Sequence, residues 1–117
     1  MAVDPVSGLP YVDAAEGMGR IGGNKALFLR LLDTFIKDVN WEKLNNFLKE
    51  GNLPDAAAAA HAIKGMAANL SMKALSAKAA ELEALLKSGA SDDGILAQLA
   101  EVYQETLNEV AQIKAAG

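Results

Sequence analysis

Prolines stand only at positions 5, 10 and 54, and the turn-forming glycines cluster at 22–23, 51 and 89, so the chain keeps long uninterrupted stretches of Ala, Leu, Lys and Glu. Those residues rank highest in helix propensity, while proline breaks a helix and glycine favours the position just past its end. The chain reads as all-α. A short first helix spans about Tyr11 to Arg20, stops at Gly22 and Gly23, and leaves Asn24 to cap the next segment. That segment carries Phe28, Leu31, Leu32, Phe35 and Val39 on one stripe. Continuing its register would bury Glu42 and Asn46, whereas a new stripe starts at Trp41, Leu44 and Leu48. A break or kink is therefore expected near Asp38 to Trp41.

Gly51 and Asn52 mark the next stop and start, with Pro54 and Asp55 in the first turn of a helix running to about Leu70. Ser71 opens another, whose Met72, Leu75, Ala79, Leu82 and Leu86 recur at three and four and which stops at Gly89. Ser91, followed by Asp92 and Asp93, is expected to cap a last helix with Ile95, Leu99, Val102, Thr106, Val110 and Ile113 on one face. Four amphipathic helices joined by short turns pack most economically as an antiparallel up-down bundle, here with an additional N-terminal helix. Residues 9–117 form this one domain, and 1–8 (MAVDPVSG) read as linker.

Composition narrows the function classes. The 117 residues, about half of them apolar, suffice for one packed core. With no cysteine and a single histidine, thiolate and His-rich metal sites are not expected, and neither is any other bound metal or cofactor. A net charge of −4 with both signs interspersed gives no basic footprint for nucleic acid. No signal peptide pattern and no apolar run of about 20 residues is present, so a cytoplasmic, monomeric domain without direct membrane contact is expected.

The single histidine lies in AAAAHAIKGMAANLS, residues 57–71. At helical spacing, Leu53, Ala56, Ala60, Ile63, Ala67 and Leu70 make the core stripe, and His61 projects about 140° from its centre. Its neighbours on the outer face are Ala57, Ala58, Lys64, Gly65 and Ala68, so the imidazole stands in a field of small side chains. A core histidine satisfied by hydrogen bonds is the bland alternative, and the wheel opposes it. Solvent-facing helix surfaces normally carry long polar residues, and a helical glycine costs about 1 kcal/mol relative to alanine. Gly65 therefore marks either a close approach by another backbone or a packing contact with a neighbouring helix. Lys64, one turn from His61, is either an ordinary solvated lysine or a cation that partly neutralises a dianionic group on the ring.

The stretch from His61 through Lys64 and Gly65 to Leu70 closely resembles the signature of histidine-containing phosphotransfer (HPt) domains of multistep phosphorelays. GMGRIGGNKALFLRLLDTF before it and AAELEALLKSG after it extend the resemblance over about residues 9–115. It implies that His61 accepts a phosphoryl group from a receiver-domain aspartate and passes it to another receiver. It also implies a helper role for Lys64, a close-approach role for Gly65, receiver docking on the face of Ala57, Ala58, Gly65 and Ala68, and an imidazole-orienting role for Glu83. The family commonly has glycine where this chain has Ser71.

Chemistry agrees with that expectation. A neutral imidazole is a competent nucleophile near neutral pH, and the resulting phosphoramidate is reactive enough to be handed on. The carrier need only present its ring, with Mg²⁺ expected solely in the partner receiver. No Walker loop or other ATP-binding pattern is present, so the chain is a phosphotransfer intermediate rather than a self-phosphorylating kinase, unless it is one piece of a membrane-anchored hybrid histidine kinase. Two other readings share these features. One is the phospho-acceptor domain of a chemotaxis-type kinase, which has the same HxxKG helix; the GMGRIGGN entry favours the relay type. The other is a helical module that docks receivers without transfer, against which stands the presence of His61, Lys64 and Gly65 together.

Overall fold

Short polar side chains start most of the helices by accepting from free backbone N–H groups. The computed structural model describes residues 8–116 and builds them into α1 (Ala14–Arg20), α2 (Lys25–Lys37), α3 (Asn40–Lys49), α4 (Leu53–Asn69), α5 (Lys73–Lys87) and α6 (Asp93–Ala116). Asp13 accepts from Glu16 N at 3.0 Å, Asn24 from Leu27 N at 2.9 Å and Asn52 from Asp55 N at 3.2 Å. The capping at Asp13 shortens the first helix, expected from Tyr11. At α6 the cap is Asp92 rather than Ser91, since its Oδ1 accepts from Gly94 N at 2.8 Å and Ile95 N at 3.2 Å. The linker expected at 1–8 lies outside the described residues except for Gly8.

The molecule is all-helical, an antiparallel bundle with α1 added at its N-terminal side. The expected break falls between α2 and α3: Asp38 leaves the helix at φ −66°, ψ 137°, and its carboxylate accepts from Asn40 N at 2.8 Å. The two short helices together occupy the place of one bundle helix. Val39, expected on the apolar stripe, sits in this break and is 51% exposed, because the chain turns before its side chain reaches the core. Trp41 instead stacks on Tyr103 of α6 at 4.4 Å between ring centroids, and Phe35 meets the same ring at 5.8 Å. Down the centre, α4 packs between α3 and α5, and α5 against α6. The core of Phe28, Leu32, Leu44, Ile63, Leu75, Leu82, Leu99 and Val110 is continuous through these layers.

Ser71 does not open α5 as expected; it closes α4. Its φ of 57° is left-handed, and Met72 N donates to Ala67 O at 2.8 Å while Ser71 N donates to Ala68 O at 3.2 Å. This is the Schellman closure that Gly51 and Gly89 make at the ends of α3 and α5, where glycine bears the left-handed backbone without steric cost. Serine tolerates it here with compensation: its hydroxyl donates to Glu16 Oε1 at 3.1 Å, and its carbonyl accepts from Asp13 N at 3.1 Å. The turn beyond α4 is thereby tied to α1. Gly17 keeps α1 close, since a Cβ there would lie 2.5 Å from the Phe28 ring. The segment that leads into α1 is held from the far end of the sequence, where the buried Glu109 carboxylate accepts from Tyr11 N at 2.8 Å and Val12 N at 2.9 Å.

Candidate functional site

Helix α4 presents its one imidazole outward because the stripe of Ala56, Ala60, Ile63 and Ala67, on the other side of the helix, turns into the core. The His61 side chain is 63% exposed. Its Nδ1 lies 2.9 Å from Oε2 of Glu83 on α5, whose carboxylate is only 5% exposed. Antiparallel packing of α4 and α5 brings these residues, 22 apart in sequence, side by side. Two ammonium groups complete the cluster: Lys64 Nζ reaches Glu83 Oε1 at 2.8 Å, and Lys87 Nζ reaches Oε2 at 2.8 Å. A buried carboxylate needs such partners, since burial alone would neutralise it.

The Lys64 ammonium beside it, followed by Lys87, outweighs burial and holds the Glu83 carboxyl down at about 2, well below its ordinary 4.5, with the His61 contact helping. Glu83 is therefore ionised at neutral pH and accepts only. The hydrogen shared with His61 must then sit on Nδ1, which in a neutral ring leaves Nε2 bare, on the side facing away from Glu83. A folded-state value below the unfolded one stabilises the fold above pH 4.5, and that contribution is lost as pH falls through about 2. Chemical denaturation of the protein and a Glu83→Gln variant should show a stability difference that shrinks across this window; a difference independent of pH would contradict the assigned ionisation.

The structure places the expected residues around one cleft and one helix face. Ala58, Gly65 and Ala68 are exposed on the face of His61, while Ala57 is only 4% exposed and lines the cleft beside the imidazole. Since α4 packs against both α3 and α5, its buried arc is wider than one stripe and takes in Ala57 and Ala59. Gly65 is not a packing glycine, because a Cβ there would meet nothing within 4 Å. Lys64 is no freely solvated lysine either; its side chain is 34% exposed and its carbonyl accepts from Ser76 Oγ at 3.1 Å.

Lys87 went unrecognised in the sequence, although it lies four residues after Glu83 on one helix, the spacing at which such pairs meet. Beside the imidazole, an open cleft of about 840 Å³ runs between the first turns of α4, at Leu53, Pro54 and Ala58, and the end of α5, at Leu86 and Lys87. Among the described residues, no three His, Asp or Glu side chains are grouped to hold a metal ion, and no helix is long and apolar enough to cross a membrane.

The site is thus an exposed, carboxylate-oriented imidazole amid small residues on a helical bundle. Comparisons with curated proteins and with solved structures give no significant match. The family model for the Hpt domain, whose members act in histidine phosphotransfer in phosphorelays, matches residues 30–116, from the middle of α2 to the end of α6 and so across the whole His61 cluster. The chain belongs to the Hpt domain family.

Proposed function

We propose that this domain carries a phosphoryl group on His61 Nε2, taking it from the phosphoaspartate of one response-regulator receiver domain and giving it to the aspartate of another. The observation that supports this most is the Nδ1 contact with ionised Glu83, which leaves the Nε2 lone pair free on an open surface. In the forward step that lone pair attacks phosphorus, the P–O bond to the donor aspartate breaks, and the departing carboxylate keeps the bonding electrons. The ring becomes cationic, its Nδ1–H still donating to the Glu83 carboxylate, so the buried negative charge stabilises the charge that develops. No proton has to move. In the return step the acceptor carboxylate attacks phosphorus and the N–P electrons go back to Nε2.

Lys64 offsets negative charge on the phosphoryl oxygens. Gly65, Ala58 and Ala68 leave room for the receiver's loops, and the receiver brings its own Mg²⁺. The domain works as a monomeric cytoplasmic carrier and has no part in ATP chemistry. The test is to mix it with phosphorylated receiver domains from the same genome and follow the label with time. At least one receiver should lose phosphate to the domain far faster than by its own hydrolysis. Equal rates with and without the domain, for every receiver, would remove the proposal.

A further inference from the structure

A hydroxyl inside a helix ordinarily bonds back to its own backbone, as Thr34 does to Arg30 O at 3.2 Å and Thr106 to Val102 O at 2.7 Å. Ser76 of α5 does otherwise: its Oγ crosses to α4 and donates to Lys64 O at 3.1 Å. That carbonyl already takes the Ala68 N–H in helical register, so it needs no second donor to be satisfied. The added bond fixes position rather than relieving a buried polar group.

Lys64 is thereby held to α5 twice. Carbonyls point toward the C-terminal end of a helix, and side chains lean toward its N-terminal end. In α4 the first direction leads to the turn at 70–72 and the early residues of α5, the second to His61 and the later ones, because the two helices are antiparallel. The main chain of Lys64 accordingly meets Ser76, and its ammonium meets Glu83 at 2.8 Å. The carbonyl that Ser76 holds belongs to the peptide unit joining Lys64 to Gly65. Glycine is the least restrained residue in a helix, and this one is open on its outer side. A glycine that leaves room for a partner also loosens the turn carrying the imidazole and the ammonium, and the Ser76 bond lies at that point.

We infer that Ser76 is a positioning residue for phosphoryl transfer: by pinning the Lys64–Gly65 peptide to α5, it holds the Lys64 ammonium where the phosphoryl oxygens arrive. This rests on His61 as the carrier. Ser76 makes and breaks no covalent bond. When the ammonium turns from Glu83 to the new oxygens, Lys64 gives up its side-chain tie to α5, and the Ser76 bond is the tie that remains.

The experiment measures transfer from a phosphorylated receiver, over a range of receiver concentrations, to the parent, Ser76→Ala, Ser76→Thr, Lys64→Ala and the Ser76→Ala, Lys64→Ala double variant, with a melting curve for each. Ser76→Ala should lower the limiting rate about three- to tenfold, the rate equivalent of one net hydrogen bond, at an unchanged half-saturating receiver concentration. Its melting temperature should hold, since the Lys64 carbonyl stays paired and alanine is the better helix former. Ser76→Thr keeps the hydroxyl and should keep most of the rate. In the Lys64→Ala background, Ser76→Ala should cost nothing further, because the group it positions is gone. A parental limiting rate for Ser76→Ala would overturn the inference and leave His61 as carrier. So would equal slowing with and without the Lys64 ammonium, or a raised half-saturating concentration at an unchanged limiting rate, which marks a direct receiver contact. Slowing by Ser76→Ala and Ser76→Thr alike, with a matching fall in melting temperature, would mark a packing role and overturn it too. A parent that accepts no phosphate at all would overturn the carrier assignment, and this inference with it.

Discussion

Replacing His61 with glutamine should abolish phosphate uptake from a phosphorylated receiver while leaving the bundle folded. His61 is the single histidine of the chain, so no second imidazole can substitute. Its side chain is 63% exposed and Glu83 keeps both lysines without it, so the change should alter stability by no more than about 0.5 kcal/mol, the usual range for surface positions. Phosphate on the parent should be lost in acid and survive alkali, as a phosphoramidate does and an acyl phosphate does not. Label taken up by the His61→Gln variant at the parental level would place the chemistry on another side chain.

Gly65→Gln should separate folding from transfer. The added side chain enters open space, and the backbone there is ordinary helix, so nothing in the fold resists it. Glutamine is the better helix former by several tenths of a kcal/mol, and the melting temperature should hold or rise. Transfer should fall by about a hundredfold, because the new side chain rises beside His61 and holds the reacting centres about 1 Å or more apart. Parallel melting and transfer assays check both halves. A lower melting temperature would point to an unrecognised packing role, and an unchanged transfer rate would show that nothing approaches Gly65.

The outward direction of His61 was legible in the sequence because α4 keeps strict helical spacing, and the break after Lys37 because two stripes conflicted in register. Both are local signals. The near-complete burial of Ala57 was not legible because periodicity finds the centre of a buried arc and not its width; the width depends on α3 and α5 closing on α4 from two sides, which alanines permit. Ser91 and Asp92 are equally good caps by residue type, and only the helix register chooses between them. The Glu109 clamp on Tyr11 and Val12 spans nearly the whole chain, and a glutamate on an amphipathic helix gives no sign of such a partner. Glu83 entered through family resemblance; that its charge is shared among His61, Lys64 and Lys87 is a product of tertiary packing. The left-handed backbone at Ser71 is concealed because the residue type does not announce it, although glycine at the equivalent turns after α3 and α5 does.

The most direct test of the carrier assignment is phosphorus–nitrogen coupling in the domain, labelled with ¹⁵N on its histidine and phosphorylated by a receiver. A ring fixed through Nδ1 on an ionised Glu83 has one nitrogen to offer, so the coupling should appear at Nε2, with the Nδ1 hydrogen retained. Coupling at Nδ1, or phosphate on the domain with no coupling to the imidazole, would contradict the account.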